Sequence, residues 1–501
     1  MNLMMLLEMA ASGFPERVAV QDGAARFTYA ELFDAAGRAA ETVQRTTAEH
    51  VAMLDVTSTA MPLALFGAAW AGRPFVPLNY RLTGAELDAL LDRIVPAYLV
   101  TDEERAVRLA GRGGLTAATR ERFLVDAGSS GEKAGEWAMD GDAIAVLLFT
   151  SGTTGIPKAA VLRHKHLVSY ILGSVEFGGA GEDEATLVSV PPYHVAGIAA
   201  VLSSVYGGRR IVQLPSFSAE AWLETARKES VTHAFVVPTM LSRIVDTLGD
   251  RASADLPRLR ALAYGGGKMP LPVIERAMKL FPNTAFTNAY GLTETSSTIA
   301  VLGPEDHRAA AGAEDPVVRR RLVSVGKALP GVEIEIRDDE GRARPPGASG
   351  EVYVRGEQVS GEYLGRGSSI GKDGWFPTRD GGSLDADGYV FLEGRIDDVI
   401  VRGGENLSPG EIEEVLLEHA GVADCAVVGV PDLQWGEAVA AVIVRRDGAA
   451  VTSSELCELV KDRLRSSRVP ARVEFWSELP YNETGKLLRR KVRESLAATL
   501  S

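Results

Sequence analysis

The sequence predicts an α/β protein: a large N-terminal domain of packed mixed sheets and helices, followed by a small α+β domain. Three observations predict it. The chain has 501 residues, too many for one compact core and enough for two or more domains. β-Branched apolar runs alternate with helical patterns over the first two-thirds, as in parallel sheets crossed over by helices. The patterning then changes twice, near residues 330 and 394.

The elements follow in chain order. MNLMMLLEMAASGFPE opens with an apolar run at Leu3–Leu7 that lacks a basic flank and is broken by Glu8. It reads as a short amphipathic helix rather than a signal peptide. AIAVLLFT (143–150), ATLVSVP (185–191), THAFVVP (232–238) and RALAYGG (260–266) read as buried strands, and SAEAWLETARKE (218–229) as a helix between them. PEDHRAAAGAEDPVVRRR (304–321) is charged and weakly patterned, and reads as an exposed loop with solvated arginines at 319–321. GVEIEIRDDEGRARPPGASGEVYVRG (331–356) alternates apolar and polar residues around turn signals, so β-hairpins are expected. GRIDDVIVRGGENLSPGEIEEVL leads into a helix capped at Ser408-Pro409. The remaining hundred or so residues alternate strand and helix as a separate small domain.

Composition bounds the function. The chain is 46% hydrophobic and 24% charged, with 53 Lys plus Arg against 67 Asp plus Glu, a net charge of −14. An acidic surface repels the phosphate backbone, so nucleic acid is not the expected partner. A local basic pocket for a small anion remains compatible with it. Two cysteines, Cys425 and Cys457, cannot make a disulfide framework or a Cys-based metal site, and a reducing cytoplasm fits. No apolar run is long enough to span a bilayer.

The chemistry begins at FTSGTTGIPKAAVLRHKHL (149–167). Ser151, Gly152, Thr153, Thr154 and Gly155 follow a predicted strand. Amides in a glycine-rich turn converge on anions, hydroxyls add donors, and Lys158 adds a point charge. Pro157 before the lysine and Ala159 after it exclude a Walker A loop. His164 and His166 have metal-like spacing.

Four further segments are NAYGLTET (288–295), GWFPTRD (374–380), GRIDDVIVRGGENLSPGEIEE (394–414) and LPYNETGKLLRR (479–490). With FTSGTTGIPK, in this order and spacing, they resemble the adenylate-forming superfamily of acyl-CoA synthetases, aryl-CoA ligases, luciferases and peptide-synthetase adenylation domains. The resemblance runs from FTYAEL (27–32) and VPLNYRL (76–82) to the terminal GK motif. It implies an adenylation domain over 1–394, a mobile lid over 398–501 and a hinge near Asp397. It implies two steps: a carboxylate attacks the α-phosphorus of ATP to give acyl-AMP and pyrophosphate, then a thiol displaces AMP.

Residue roles come from the same resemblance. Thr150 and the 151–158 loop would hold the β- and γ-phosphates. Thr293 would contact the α-phosphate, and Glu294 would bind Mg²⁺, a hard cation suited to oxygen ligands. Asp380 would accept from the ribose hydroxyls, with Arg395 in support. Gly265, Gly266, Gly267, Tyr290 and Gly291 would frame the adenine. Lys486 would bridge the attacking carboxylate and the α-phosphate. Gly403, Gly404 and Glu405 would line the pantetheine tunnel, and Trp435 would pack on the CoA adenine unless it is a core residue. Arg468 and Arg472 would meet CoA phosphates or stay solvated. His194, in PPYHVAG (191–197), would border the acyl pocket. The position of His164 and His166 would be structural.

The implied function is an ATP-, Mg²⁺- and CoA-dependent ligase for a carboxylic acid lacking an α-amino group, because no aspartate stands where an ammonium would be paired. The alternatives are a ligase that uses preformed acyl-AMP, an acyl-AMP ligase loading a carrier protein, and a non-catalytic nucleotide or acyl-adenylate sensor. A homodimer is left open. Ala159, Arg379 and Lys268 stand where the resemblance leads one to expect glycine, glycine and a small or apolar residue. All three are expected near the nucleotide, where they would weaken adenylation.

Overall fold

The computed structural model describes residues 1–23, 25–82, 84–150, 157–403, 405–482 and 487–498. Two large sheets dominate the N-terminal part. One has nine strands, in the order Lys327–Ala328, Ser297–Leu302, Ala285–Leu292, Ala261–Gly265, His233–Val236, Ala185–Val188, Arg210–Gln213, Val18–Asp22 and Ala25–Thr28. Its interior pairs are parallel and its edges antiparallel. The other has eight strands, with Ile144–Thr150 and Lys158–Arg163 forming an antiparallel pair beside the parallel strands Phe75–Pro77, His50–Leu54, Ala97–Thr101 and Leu115–Thr119. The four strand runs read from the sequence fall on four of these strands; Ala185–Val188 and the centre of Ile144–Thr150 are buried on both faces, while His233–Val236 and Ala261–Gly265 alternate buried with half-buried residues.

One apolar core joins the sheets. Val20, Val188 and Ile211 of the first meet Met53, Val146, Leu148 and Leu162 of the second around helices Tyr29–Gln44 and Ala60–Ala71. Every residue of Ala60–Ala71 is buried, as expected of a helix apolar all round. The N-terminal helix Met4–Gly13 drives Leu6, Leu7 and Ala10 into this core, with Leu3 beside them. No helix among the described residues is long and apolar enough to cross a membrane.

The hairpin expected after 330 is Val332–Arg337 paired with Gly350–Gly356, continued by Phe376–Leu384 and Val390–Arg395. The short turn Ile396–Asp398 then leads to a separate sheet of Ile400–Arg402, Glu405–Leu407, Val422–Asp432, Gly436–Arg445 and Arg472–Trp476. Helices Pro409–Leu417, Ser453–Arg463 and Arg489–Ala498 cover it, giving this small α+β domain its own cores. Ser408 is the N-cap of Pro409–Leu417, but its hydroxyl bonds the Glu393 carbonyl of the preceding sheet rather than a helix amide.

The exposed loop expected over 304–321 is instead two helices, Pro304–Ala311 and Pro316–Arg320. His307 anchors the first: it is buried, 2.9 Å from the Tyr264 hydroxyl. The arginines there have partners, Arg319 with Glu275, Arg321 with Asp385 and Asp387, and Arg320 over the Phe391 ring. Cys425 and Cys457 are free thiols.

Candidate active site

Strand pairing sets Asp380 opposite Arg395. Arg395 donates to Asp380 Oδ1 at 2.9 Å and to the Thr378 carbonyl at 3.1 Å. From the neighbouring sheet, the Tyr290 hydroxyl donates to Asp380 Oδ2 at 2.6 Å. Burial, and then the Asp380 charge, push the Tyr290 hydroxyl far above the usual phenol range, so it stays a donor. Each carboxylate oxygen keeps a further lone pair, which leaves Asp380 able to accept from a vicinal diol.

Tyr290 is followed by a tight turn. Strand Ala285–Leu292 ends in the 3₁₀ turn Thr293–Thr295, and Ser296 and Ser297 carry φ of +57° and +111°. Two consecutive non-glycine residues in that region store strain, of a kind that clusters at functional sites. Gly291 makes the turn possible, because a Cβ there would lie 1.8 Å from the Ser297 carbonyl oxygen. A Cβ on Gly265 would lie 2.1 Å from the Ala289 carbonyl oxygen. The close approach at Gly265 is therefore to the neighbouring strand. Gly266 needs glycine for its φ of +82°, whereas a Cβ on Gly267 would make only ordinary contact with Pro238.

The turn presents Thr293 and Glu294, both half-buried. The Glu294 carbonyl accepts from the Ser360 and Gly361 amides at 2.9 and 3.0 Å. Its carboxylate Oε1 accepts from the Tyr363 hydroxyl. Tyr363 pairs with Ala160 across the sheet edge, and its ring centre lies 5.6 Å from Lys158 Nζ. Lys158 faces Thr150 in register, at the end of the antiparallel pair Ile144–Thr150 and Lys158–Arg163. Strand pairing thus gathers Lys158, Tyr363 and Glu294. Sequence reasoning missed Tyr363, since only the register with Ala160 singles it out. The remaining loop residues Ser151, Gly152, Thr153, Thr154 and Gly155, together with Gly404 and Lys486, lie outside the described residues.

The arrangement suits a hard divalent cation. Glu294 supplies a carboxylate with one oxygen fixed by Tyr363 and lone pairs remaining on the other.

His194 caps helix Val195–Gly207, its ring 4.8 Å from that of Tyr193. Nε2 is buried and finds no hydrogen-bond partner among the described residues. Burial holds its pKa down at about 4, so the ring is neutral at physiological pH. His164 serves the fold: its Nδ1 accepts from the Leu3 amide at 3.2 Å.

On the small domain, Trp435 is 44% exposed, so the core alternative for it falls away. The Arg402 guanidinium lies 5.3 Å from its ring centre, and the Gly403 amide donates to its carbonyl at 2.7 Å. Gly403 has φ +58°, and a Cβ there would meet the Trp435 ring at 2.7 Å. Glu405 is paired with Arg468, which also meets Glu411, and Arg472 is paired with Glu474.

The structure shows where the side chains of Ala159, Lys268 and Arg379 go. Ala159 is buried within strand Lys158–Arg163, and strand alternation puts its side chain with Val161 on the face opposite Lys158. Lys268 reaches the small domain, donating to the Gly410 carbonyl at 3.3 Å and pairing with Glu414. Arg379 sits at φ +63°, where a non-glycine residue costs about 1 kcal/mol. Its amide donates to Glu351 Oε1 at 2.9 Å, and its guanidinium turns to Asp397 Oδ1 at 2.7 Å.

Comparison with known proteins matches this geometry to a family. Residues 7–364 match the AMP-binding enzyme family, and residues 411–486 the AMP-binding enzyme C-terminal domain. The chain is 33% identical to a feruloyl-CoA synthase of Amycolatopsis sp over 489 residues, 96% of each chain. It is 32% identical to the fatty acid–[acyl-carrier-protein] ligase ScoC of Streptomyces coeruleorubidus, covering 89% of this chain and 86% of that one. The o-succinylbenzoate CoA synthetase (MenE) of Bacillus subtilis, solved with its acyl-adenylate intermediate OSB-AMP, superposes with a TM-score of 0.83 at 30% identity over 97% of both chains.

Proposed function

The chain belongs to the AMP-binding enzyme family of AMP-forming acid–thiol ligases, and from that premise we propose that it activates a carboxylic acid lacking an α-amino group as its acyl-AMP and transfers the acyl group to CoA. The observation that carries the reading is the convergence of Tyr290, Asp380 and Arg395 beside the Thr293–Glu294 turn. It offers a diol acceptor next to the place where a phosphate and its cation would sit.

In this reading residues 1–394 bind the nucleotide, residues 398–501 form the lid, and Asp397 is the hinge. Asp380 accepts from the ribose hydroxyls and is itself oriented by Arg395 and Tyr290. Gly265, Gly266, Gly267 and Gly291 shape the wall beside Tyr290. Thr293 donates to the α-phosphate, and Thr150, Lys158 and the intervening loop neutralise the leaving pyrophosphate. Mg²⁺, held by Glu294, would supply the balancing positive charge on the phosphates. A carboxylate oxygen of the acid bonds to the α-phosphorus as pyrophosphate leaves, with Lys486 between the two anions. Neutral His194 borders the acyl group without adding charge. After the lid turns about Asp397, Gly403, Gly404 and Glu405 admit the pantetheine arm, with Trp435 at the nucleotide end of CoA. The thiol sulfur then bonds to the acyl carbon, its proton passing to solvent, as the bond from that carbon to the phosphate oxygen breaks and AMP departs.

Aryl acids lead the substrate search, because feruloyl-CoA and o-succinylbenzoate-CoA enzymes are among the relatives. The ScoC relative favours a second reading in which a carrier-protein thiol is the acceptor. Use of preformed acyl-AMP alone, or a sensor role, gains less support: Ala159 faces away from Lys158, and Arg379 points to Asp397. The test is mass spectrometry of purified protein with ATP, Mg²⁺, CoA and a pool of aliphatic, aryl and polycyclic acids, beside tubes given synthetic acyl-AMPs or an acyl carrier protein. Acyl-CoA and AMP in the first tube support the proposal. Thioester only from acyl-AMP, only on the carrier protein, or nucleotide binding without turnover would each replace it with the matching alternative.

A further inference from the structure

Arg379 and Lys268 are the two described site-flanking cations that bond the lid side of the molecule. Arg379 sits immediately before Asp380 and reaches Asp397. Lys268 follows the Gly265–Gly267 run and reaches Gly410 and Glu414 on helix Pro409–Leu417. Arg379 therefore ties the strand before Asp380 to the hinge residue itself, and Lys268 ties the Gly265–Gly267 run to the first helix of the lid. We propose that Arg379 and Lys268 are positioning residues that form a two-point electrostatic latch, holding the lid in the orientation described and so setting the balance between the two half-reactions.

The inference rests on reading 398–501 as a lid that turns about Asp397. Three physical features support it. First, Arg379 occupies a left-handed position that strongly favours glycine, at φ +63°. The backbone cost of an arginine there is offset elsewhere, and the ion pair with Asp397 is one contact its side chain adds. Second, its amide is fixed by Glu351, so the side chain has a rigid base from which to reach Asp397. Third, the two contacts lie on different segments, one on the hinge residue Asp397 and one on helix Pro409–Leu417 of the small domain. Together they restrain rotation, which a single contact at the hinge would permit.

The latch is built to release. Side-chain exposure is 50% and 42% for Arg379 and Asp397, and 41% and 52% for Lys268 and Glu414. Ion pairs this exposed are screened by salt, and each shifts an equilibrium by about 2–5-fold. Two such pairs acting independently shift it by about 4–25-fold, enough to bias the lid without locking it.

The test is hydrogen–deuterium exchange of hinge residues 396–402 in the ligand-free full chain. The variants are Arg379→Asn, which keeps a residue tolerant of positive φ, Lys268→Met, and the double variant. Each single change should raise hinge exchange about 2–5-fold at low salt, and the double change should raise it multiplicatively. Raising salt from 0.05 to 1 M should accelerate wild-type exchange while leaving the double variant unmoved. The charge swap Lys268→Glu with Glu414→Lys should recover most of the protection that Lys268→Glu alone loses, though not the hydrogen bond to the Gly410 carbonyl, and a loss of packing alone would not allow that recovery. Unchanged exchange in the double variant, or salt-insensitive wild type, or a charge swap that fails to recover that protection, would overturn the latch. None of these readouts needs ATP, acid or CoA. Failure to form acyl-CoA would thus count against the proposed function alone, and unchanged exchange in an active ligase against the latch alone.

Discussion

Replacing Asp380 by asparagine tests the core of the site with almost no change of shape. In the native protein Oδ1 accepts from Arg395 at 2.9 Å and Oδ2 from Tyr290 at 2.6 Å. An asparagine amide keeps one oxygen for Arg395 and turns an NH₂ group toward the Tyr290 hydroxyl. That hydroxyl must then rotate to accept, and the charge opposite Arg395 is gone. A hydrogen bond to a charged group contributes about 1.5–3 kcal/mol. Asp380 is 13% exposed and Arg395 31%, so solvent screens the loss only partly. The same carboxylate is assigned to the ribose, so Asp380→Asn should raise the KM for ATP about 10–100-fold in pyrophosphate exchange. The KM for the acid should stay within about twofold, and stability should drop by about 1.5–3 kcal/mol in urea titration. An unchanged KM for ATP in a folded variant would refute the assignment of Asp380, and with it the convergence on which the functional reading stands.

Three other outcomes follow from the same geometry. Burial holds His164, His166 and His194 at pKa values of about 4; because these lie below the unfolded value, the unfolded chain binds more protons between pH 6.5 and 4. Each then removes up to about 1.4 kcal/mol of stability per pH unit as pH falls; the urea-derived slope of His164→Gln should be shallower than wild type by about one proton, and identical slopes would contradict the burial argument. Trp435→Ala should raise the KM for CoA several-fold in thioester formation while leaving pyrophosphate exchange intact, and an equal fall in both would place Trp435 outside a CoA site. Gly291→Ala forces a Cβ to within 1.8 Å of the Ser297 carbonyl oxygen, which should cost at least about 1–3 kcal/mol and abolish pyrophosphate exchange; a stable, active variant would show that the turn adapts.

Much of this was legible in the sequence, for definable reasons. The buried strands were readable because their cores are short apolar, β-branched runs, as in Ala145–Leu148 of Ile144–Thr150 and Ala234–Val236 of His233–Val236. The helices Pro304–Ala311 and Pro316–Arg320 were not, because few of their residues are buried: His307 and Ala310 in the first and none in the second. At the candidate site, motif order singles out Tyr290, Glu294, Asp380 and Arg395. Their pairing, by contrast, depends on register between distant strands. Tyr363 has no local mark, because Glu294 and Ala160 meet it only through tertiary pairing. The directions of Lys268 and Arg379 were misjudged because sequence proximity to nucleotide motifs says nothing of where a long side chain ends. Lys268 ends on helix Pro409–Leu417 of the small domain, and Arg379 on Asp397 in the turn that precedes it.

The central claim, activation through acyl-AMP followed by thiol transfer, is tested most directly by oxygen tracing. Protein is incubated with ATP, Mg²⁺, CoA and an acid from the substrate screen carrying ¹⁸O in both carboxylate oxygens, and the products are weighed by mass spectrometry. The account predicts one ¹⁸O in AMP, one retained in the acyl-CoA carbonyl and none in pyrophosphate. Label in a phosphate other than AMP, or acyl-CoA formed with unlabelled AMP, would contradict it.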